Sequence, residues 1–193
     1  MAIPKRDQRI KYTYKDYLKW PDEERWEIID GIPYNMSPAP TRKHQKISGE
    51  LFASIHNYLK DKKCEVYSAP FDVRLFVDNV IDEETTNVVQ PDIAVICDPY
   101  KLDDRGCKGS PDLIIEIVSP STLKKDLKEK FYLYERAGVK EYWIIYPDEK
   151  TIVSYILNED GKYGRPEVYS EEDSIKVGVL ELLEINLIDI FTD

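Results

Sequence analysis

The chain has 193 residues, 42% hydrophobic and 33% charged, enough length and apolar content for one core-bearing globular domain over residues 1–193. No stretch approaches ~18 apolar residues and residues 1–12 lack the apolar core of a signal peptide, so no membrane segment is expected and a cytoplasmic location is the default. The net charge of −10 excludes a general nucleic-acid coat, whose affinity comes from neutralising phosphates, and it weighs against any nuclease.

Thr13 followed by Asp16 predicts a capped short helix from Tyr14 to Trp20, ended by Pro21. The stretch RWEIIDGIPYNMS then alternates and turns at Asp30-Gly31, a hairpin signal. Glu27, in its first strand, reads as an edge carboxylate facing water. Thr41 can cap a long helix from about Arg42 to Lys62, with an apolar stripe of Ile47, Leu51, Ile55, Tyr58 and Leu59. His44 extends that stripe at its N-terminal end, a usual place for a structural histidine, and Glu50 sits at the stripe's margin.

From Cys64 to Val95 the pattern is β, with Phe71–Val77 and Val88–Ile96 expected to pair as a hairpin. Pro91-Asp92 interrupts the second of these strands, which implies an edge position or a bulge that re-aims a side chain. The three cysteines, Cys64, Cys97 and Cys107, form no CxxC pair and suggest neither a disulfide framework nor a zinc site.

The stretch from Pro111 to Trp143 organises the chain: a buried strand, a Ser/Pro turn, an amphipathic helix and a new strand. The strand Leu113–Val118 is apolar except for Glu116, and a buried carboxylate costs several kcal/mol unless it is paired. On the helix, Leu123, Leu127, Leu133, Tyr134 and Ala137 fall within about 60° of one direction, and Lys130 points along the middle of that stripe. Lysine is almost never fully buried unless paired, so Lys130 marks either an ordinary surface pair with Asp126 or a site with Glu116. Ser121 and Thr122 read as caps of this helix, and Lys124, Lys125 and Lys128 as a basic exposed face. Short strands follow at Ile144–Tyr146, Thr151–Leu157 and Tyr163–Ser170, then weak β or loop segments to the end. The whole reads as α+β, a mixed central β-sheet flanked by helices.

Asp92, Glu116 and Lys130 are thus polar residues embedded in apolar elements. Two carboxylates on neighbouring strands form an oxygen-rich site suited to Mg²⁺ or Mn²⁺. Asp112 competes with Asp92, but it lies about 13 Å from Glu116 along one strand and is better read as a turn anchor. No G-x-S-x-G elbow, P-loop or metal-binding His pair is present, so a small-molecule hydrolase is the poorer reading.

An acidic residue after Pro, a Glu on the next strand and a nearby Lys resemble the PD-(D/E)xK nuclease signature. More closely, RWEIIDGI, MSPAPTRKHQKISGEL, QPDIAV, PDLIIEIVSPST and DLKEKFYLYERAGVKEYWIIYPD resemble the Uma family of restriction-endonuclease-like proteins over nearly the whole chain. The superfamily's lysine position, two residues after the glutamate, is Val118 here, and Lys130 looks like a lysine migrated to the following helix. The resemblance implies a restriction-endonuclease-like fold and an Mg²⁺- or Mn²⁺-dependent endonuclease acting on DNA, with homodimers addressing two strands. Asp92, Glu116 and the Ile117 carbonyl would hold the metal, Lys130 would assist the attacking water, and Glu50 or His44 would contribute secondarily. The alternative is a catalytically inactive nuclease fold kept for partner or nucleic-acid binding.

Overall fold

A computed structural model describes residues 10–21, 24–36, 39–76, 81–119 and 125–192 of the chain, with the side chains of 125 and 126 excepted. The predicted caps Ser121 and Thr122, together with Leu123 and Lys124, fall outside the described residues.

At the N-terminal end, Asp16 accepts hydrogen bonds from the backbone N–H and hydroxyl of Thr13 and caps α1 (Tyr14–Tyr17). β1 (Trp26–Ile29) and β2 (Ile32–Asn35) form the expected hairpin. Its turn places Asp30 and Gly31 at φ 50° and 77°, the doubly left-handed geometry that matches strand twist. A Cβ on Gly31 would also stand 2.6 Å from Lys11 Cδ, so glycine fits this position on two counts. α2 (Arg42–Leu59) starts where Thr41 accepts from the His44 N–H, and buries Ile47, Leu51, Ile55 and Leu59. It ends one turn earlier than its pattern suggested, because Lys60 leaves the helical region at ψ 130°.

The remaining strands are β3 (Glu65–Ser68), β4 (Val73–Arg74), β5 (Val88–Val89), β6 (Ile93–Ile96), β7 (Leu102–Asp103), β8 (Gly106–Lys108) and β9 (Leu113–Ile117). A π-helical turn, Lys125–Lys130, runs directly into α3 (Phe131–Ala137), which stops at Gly138 in the left-handed region. β10 (Glu141–Tyr146), β11 (Thr151–Ile156), β12 (Glu167–Ser170), β13 (Ser174–Lys176), β14 (Glu184–Asn186) and α4 (Leu187–Ile190) complete the chain.

The strands form two mixed sheets rather than one central sheet. One runs β2-β1-β5-β4-β8-β7 and the other β12-β11-β10-β9-β6-β3, with β13-β14 a separate ribbon. In the second sheet β9 and β10 are parallel, and their nearly continuous aliphatic and aromatic content reflects burial on both faces. Alternation sorts these residues. Leu113, Ile115, Ile117, Trp143 and Ile145 join α2 and the C-terminal segment in one core. Ile114, Val118, Tyr142 and Ile144 join α3 and the inner face of the first sheet in another. Each fully buried aliphatic side chain contributes about 1.5–3 kcal/mol, so the two cores fix the layering.

Two expectations are corrected by this arrangement. Val88–Ile96 is not one strand at an edge or with a bulge: Pro91 has no N–H to donate, and around it the chain leaves the first sheet as β5 and enters the second as β6. Cys64 and Cys97 form a disulfide, because the β3–β6 register that pairs Glu65 with Ile96 sets these two opposite each other at the next position. Cys107 is buried and unbonded, and burial pushes its thiol up to about 12, so it behaves as a small apolar residue.

A second buried carboxylate is structural. Glu141 accepts from Trp143 Nε1 at 2.7 Å and from the Val179 N–H at 3.0 Å, tying the loop before β14 to β10. Burial raises its pKa above the ordinary 4.5 despite these donors. The folded state therefore holds this proton more tightly than the unfolded chain. The contribution of Glu141 to stability is complete below about pH 4.5 and is lost as pH rises through the raised value. Chemical denaturation at several pH values is expected to show the stability difference between wild type and Glu141→Gln drifting against wild type above pH 4.5. A difference independent of pH would sink this reading.

Candidate active site

The crossing of the chain between sheets at Gln90-Pro91-Asp92 assembles the site. β5, before it, lies beside β1, which carries Glu27; β6, after it, lies beside β9, which carries Glu116. The register that pairs Ile93 with Ile115 brings Asp92 level with Glu116. Asp92 Oδ2 accepts a 2.8 Å hydrogen bond from the Ile117 N–H, which fixes that carboxylate against the end of β9.

Lys130 does reach Glu116. Its Nζ donates to Glu116 Oε1 at 2.7 Å and stands 2.8 Å from Glu27 Oε1. Tyr134, one turn further along the helix, donates its hydroxyl to the same Glu116 oxygen at 2.7 Å. All three charged groups are buried: Glu27 is 0%, Lys130 2% and Glu116 4% exposed. This excludes the reading of Lys130 as an ordinary surface lysine; the Asp126 side chain lies outside the described residues.

Among the described residues, the helix that carries Lys130 begins with the π turn Lys125–Lys130. A π turn closes i→i+5 hydrogen bonds and winds less per residue than an α turn, a distortion often found at functional sites. The apolar stripe drawn for a uniform α-helix therefore fails at its start. Leu127, expected inside, is 40% exposed, while Lys130, Leu133 and Tyr134 face inward.

Glu27 is the clearest correction. It does not face water: Trp26 and Ile28 turn to the outer face of the first sheet, and Glu27 turns inward with Ile29. The signal was present in Ile29, an apolar residue on the same face as the supposedly solvated carboxylate. Gln90 was missed as well. Its N–H donates to Glu27 Oε1 at 3.1 Å, its side-chain oxygen accepts from Arg25 at 2.9 and 2.7 Å, and its amide nitrogen reaches Asp72 and the Tyr17 hydroxyl, both at 2.9 Å. Burial pushes the Asp72 carboxyl upward, offset by the Gln90 and Tyr17 hydrogen bonds.

The two candidates on α2 separate. His44 Nε2 lies 3.3 Å from Asp92 Oδ2, so this histidine joins the site rather than the helix's apolar stripe. Glu50 does not join it. It is exposed, and six residues on from His44 it lies about 9 Å along the axis and a third of a turn away. Asp112 is the turn anchor expected of it, accepting from the Cys97 N–H and from Lys140 Nζ, both at 2.7 Å.

Asp92 and Glu116 offer hard oxygen donors of the kind Mg²⁺ and Mn²⁺ take. Among the described residues no three His, Cys, Asp or Glu side chains are grouped to hold an ion. Mg²⁺ commonly uses one or two carboxylates and completes its shell with water and phosphate oxygens.

The fold is of the restriction-endonuclease-like α+β class. It matches the crystal structure of "a putative nuclease belonging to DUF820" from Anabaena variabilis with a TM-score of 0.73, over 93% of this chain and 97% of that one, at 22% identity. The chain belongs to the Uma2 family, whose profile, described as "Putative restriction endonuclease", matches residues 14–187. A Synechocystis sp. protein, slr1290, is 30% identical over 156 residues, covering 79% of this chain and 78% of its own length. No described helix is long and apolar enough to cross a membrane.

Proposed function

We propose that the protein is a metal-dependent endonuclease hydrolysing phosphodiester bonds in DNA, acting as a homodimer with one site for each strand. The observation that carries this reading is the convergence of Asp92, Glu116 and Lys130 at the sheet crossing. Fold stability does not require such buried charge, since apolar residues of similar volume serve a core at least as well.

In this reading Asp92, Glu116 and the Ile117 carbonyl hold Mg²⁺ or Mn²⁺. The bound ion supplies a lowered pKa for a water molecule and a counter-charge for phosphate. The chain's own groups do the rest. The Ile117 N–H keeps Asp92 oriented, Lys130 positions the attacking water or takes up charge on the phosphate, and Tyr134 holds Glu116 through the oxygen that also accepts from Lys130. His44 Nε2, 3.3 Å from Asp92 Oδ2, stands beside the metal-binding carboxylate of this reading. Exposed Arg42, beside His44 on the first turn of α2, supplies local positive charge for a phosphate backbone on an otherwise acidic chain, whereas Lys43 is paired with Asp148 at 3.0 Å. Lys128 is exposed too, on the helix that carries Lys130. We assign Glu50 no part.

A second reading, a non-catalytic interaction module, draws support from the completed ion pairing of Glu116 with Lys130 and from the net charge of −10. Nicking of supercoiled plasmid with Mg²⁺ or Mn²⁺ separates the two. Wild type is expected to nick, and Asp92→Asn and Glu116→Gln to lose about 100-fold or more in rate. Nicking that survives both substitutions would come from a contaminant and remove the proposed site. No metal-dependent nicking by wild type would favour the binding module.

A further inference from the structure

We propose that Glu27 is a positioning residue of this site: it retains Lys130 when Glu116 is engaged by a divalent cation or by substrate. The inference rests on the nuclease reading and extends it to a residue outside the signature. One ammonium group stands between two carboxylates, 2.7 Å from Glu116 on the second sheet and 2.8 Å from Glu27 on the first. If Glu116 alone held Lys130, a cation bound to Glu116 would both neutralise the lysine's partner and repel the lysine. A second, independent carboxylate removes that conflict.

Glu27 is built for this part. It is fully buried, so its charge is not weakened by water, and its carboxylate is oriented by the Gln90 N–H. Gln90 is itself clamped by Arg25, Asp72 and Tyr17, immediately before the Pro91-Asp92 step. The same crossing therefore sets Asp92 for the metal and Glu27 for the lysine, which keeps the two cations apart.

The test compares full-length wild type, Glu27→Gln and Glu27→Asp, each with and without Mn²⁺. Acylation of Lys130 by an amine-reactive ester is followed by peptide mass spectrometry, and plasmid nicking is measured in parallel. Wild-type Lys130 is expected to stay protected with Mn²⁺, whereas Glu27→Gln should acylate about tenfold faster once Mn²⁺ is added. Its kcat should fall about 10–100-fold with little change in KM. Glu27→Asp, which keeps the charge but draws it back by one methylene, should fall between the two in both readouts, so its difference from wild type carries the comparison if Glu27→Gln does not fold. Equal protection of Lys130 in all three proteins with Mn²⁺ overturns the proposal, whether or not plasmid is cut. Protection that depends on Glu27, in a wild type that nicks nothing, supports the positioning role and overturns the nuclease reading.

Discussion

Lys130→Met is expected to melt about 10 °C below wild type. The substitution keeps length and most of the volume but removes the one cation between Glu27 and Glu116, which are 0% and 4% exposed. Breaking a buried ion cluster by deleting one partner costs about 3–5 kcal/mol, because the charge left behind is neither solvated nor paired. For a chain of this length each kcal/mol is worth roughly 2–4 °C in Tm. A lysine in an exposed i,i+4 pair would give only a few tenths of a kcal/mol, about 1 °C. Differential scanning calorimetry near neutral pH distinguishes these by an order of magnitude. A Tm within about 2 °C of wild type would mean that the buried triad does not form in solution.

The second large effect is its reversal. Replacing the triad with apolar residues, as Glu27→Leu, Lys130→Met and Glu116→Leu together, is expected to recover most of the stability lost in Lys130→Met. Apolar replacement of buried ion triads is often neutral, or stabilising by about 1–4 kcal/mol, since no charge is then desolvated. Two donors would lose acceptors, the Tyr134 hydroxyl and the Gln90 N–H, at about 1–3 kcal/mol each, so adding Tyr134→Phe should improve recovery further. Metal-dependent nicking should nonetheless be absent. A folded, stable and inactive protein would show that these charges serve chemistry rather than the fold. If the triple variant remained as unstable as Lys130→Met, the triad would be structural, and the interaction-module reading would gain.

Asp92, Glu116 and Lys130 could be picked out before any coordinates because each breaks a pattern. Pro91-Asp92 interrupts an aliphatic run, Glu116 is the one charge in a strand buried on both faces, and Lys130 lies in a helical apolar stripe. Such violations are legible wherever the surrounding period is strong. Glu27 was less legible, since Ile29 on the same face was its one signal and a carboxylate in a short hairpin strand also fits a solvated face. Only the packing of the two sheets against each other makes its face an interior one.

The sequence by itself determined the α+β class, the caps and turns, the inward faces of α2 and β9, and the three residues on which the proposed chemistry rests. These follow from local periodicity and from the cost of burying charge, which act within a few residues. The tertiary structure alone decided that there are two sheets, that Val88–Ile96 crosses between them at Pro91, and that Cys64 meets Cys97. It also decided that Glu27, held by the Gln90 N–H, meets Lys130, that His44 joins Asp92, and that Glu50 is exposed. These are pairings between residues tens of positions apart, set by strand register and helix phase. A single π turn at Lys125–Lys130 shifts that phase enough to expose Leu127 in a stripe that carries Lys130 inward. No local pattern in the sequence records such a shift.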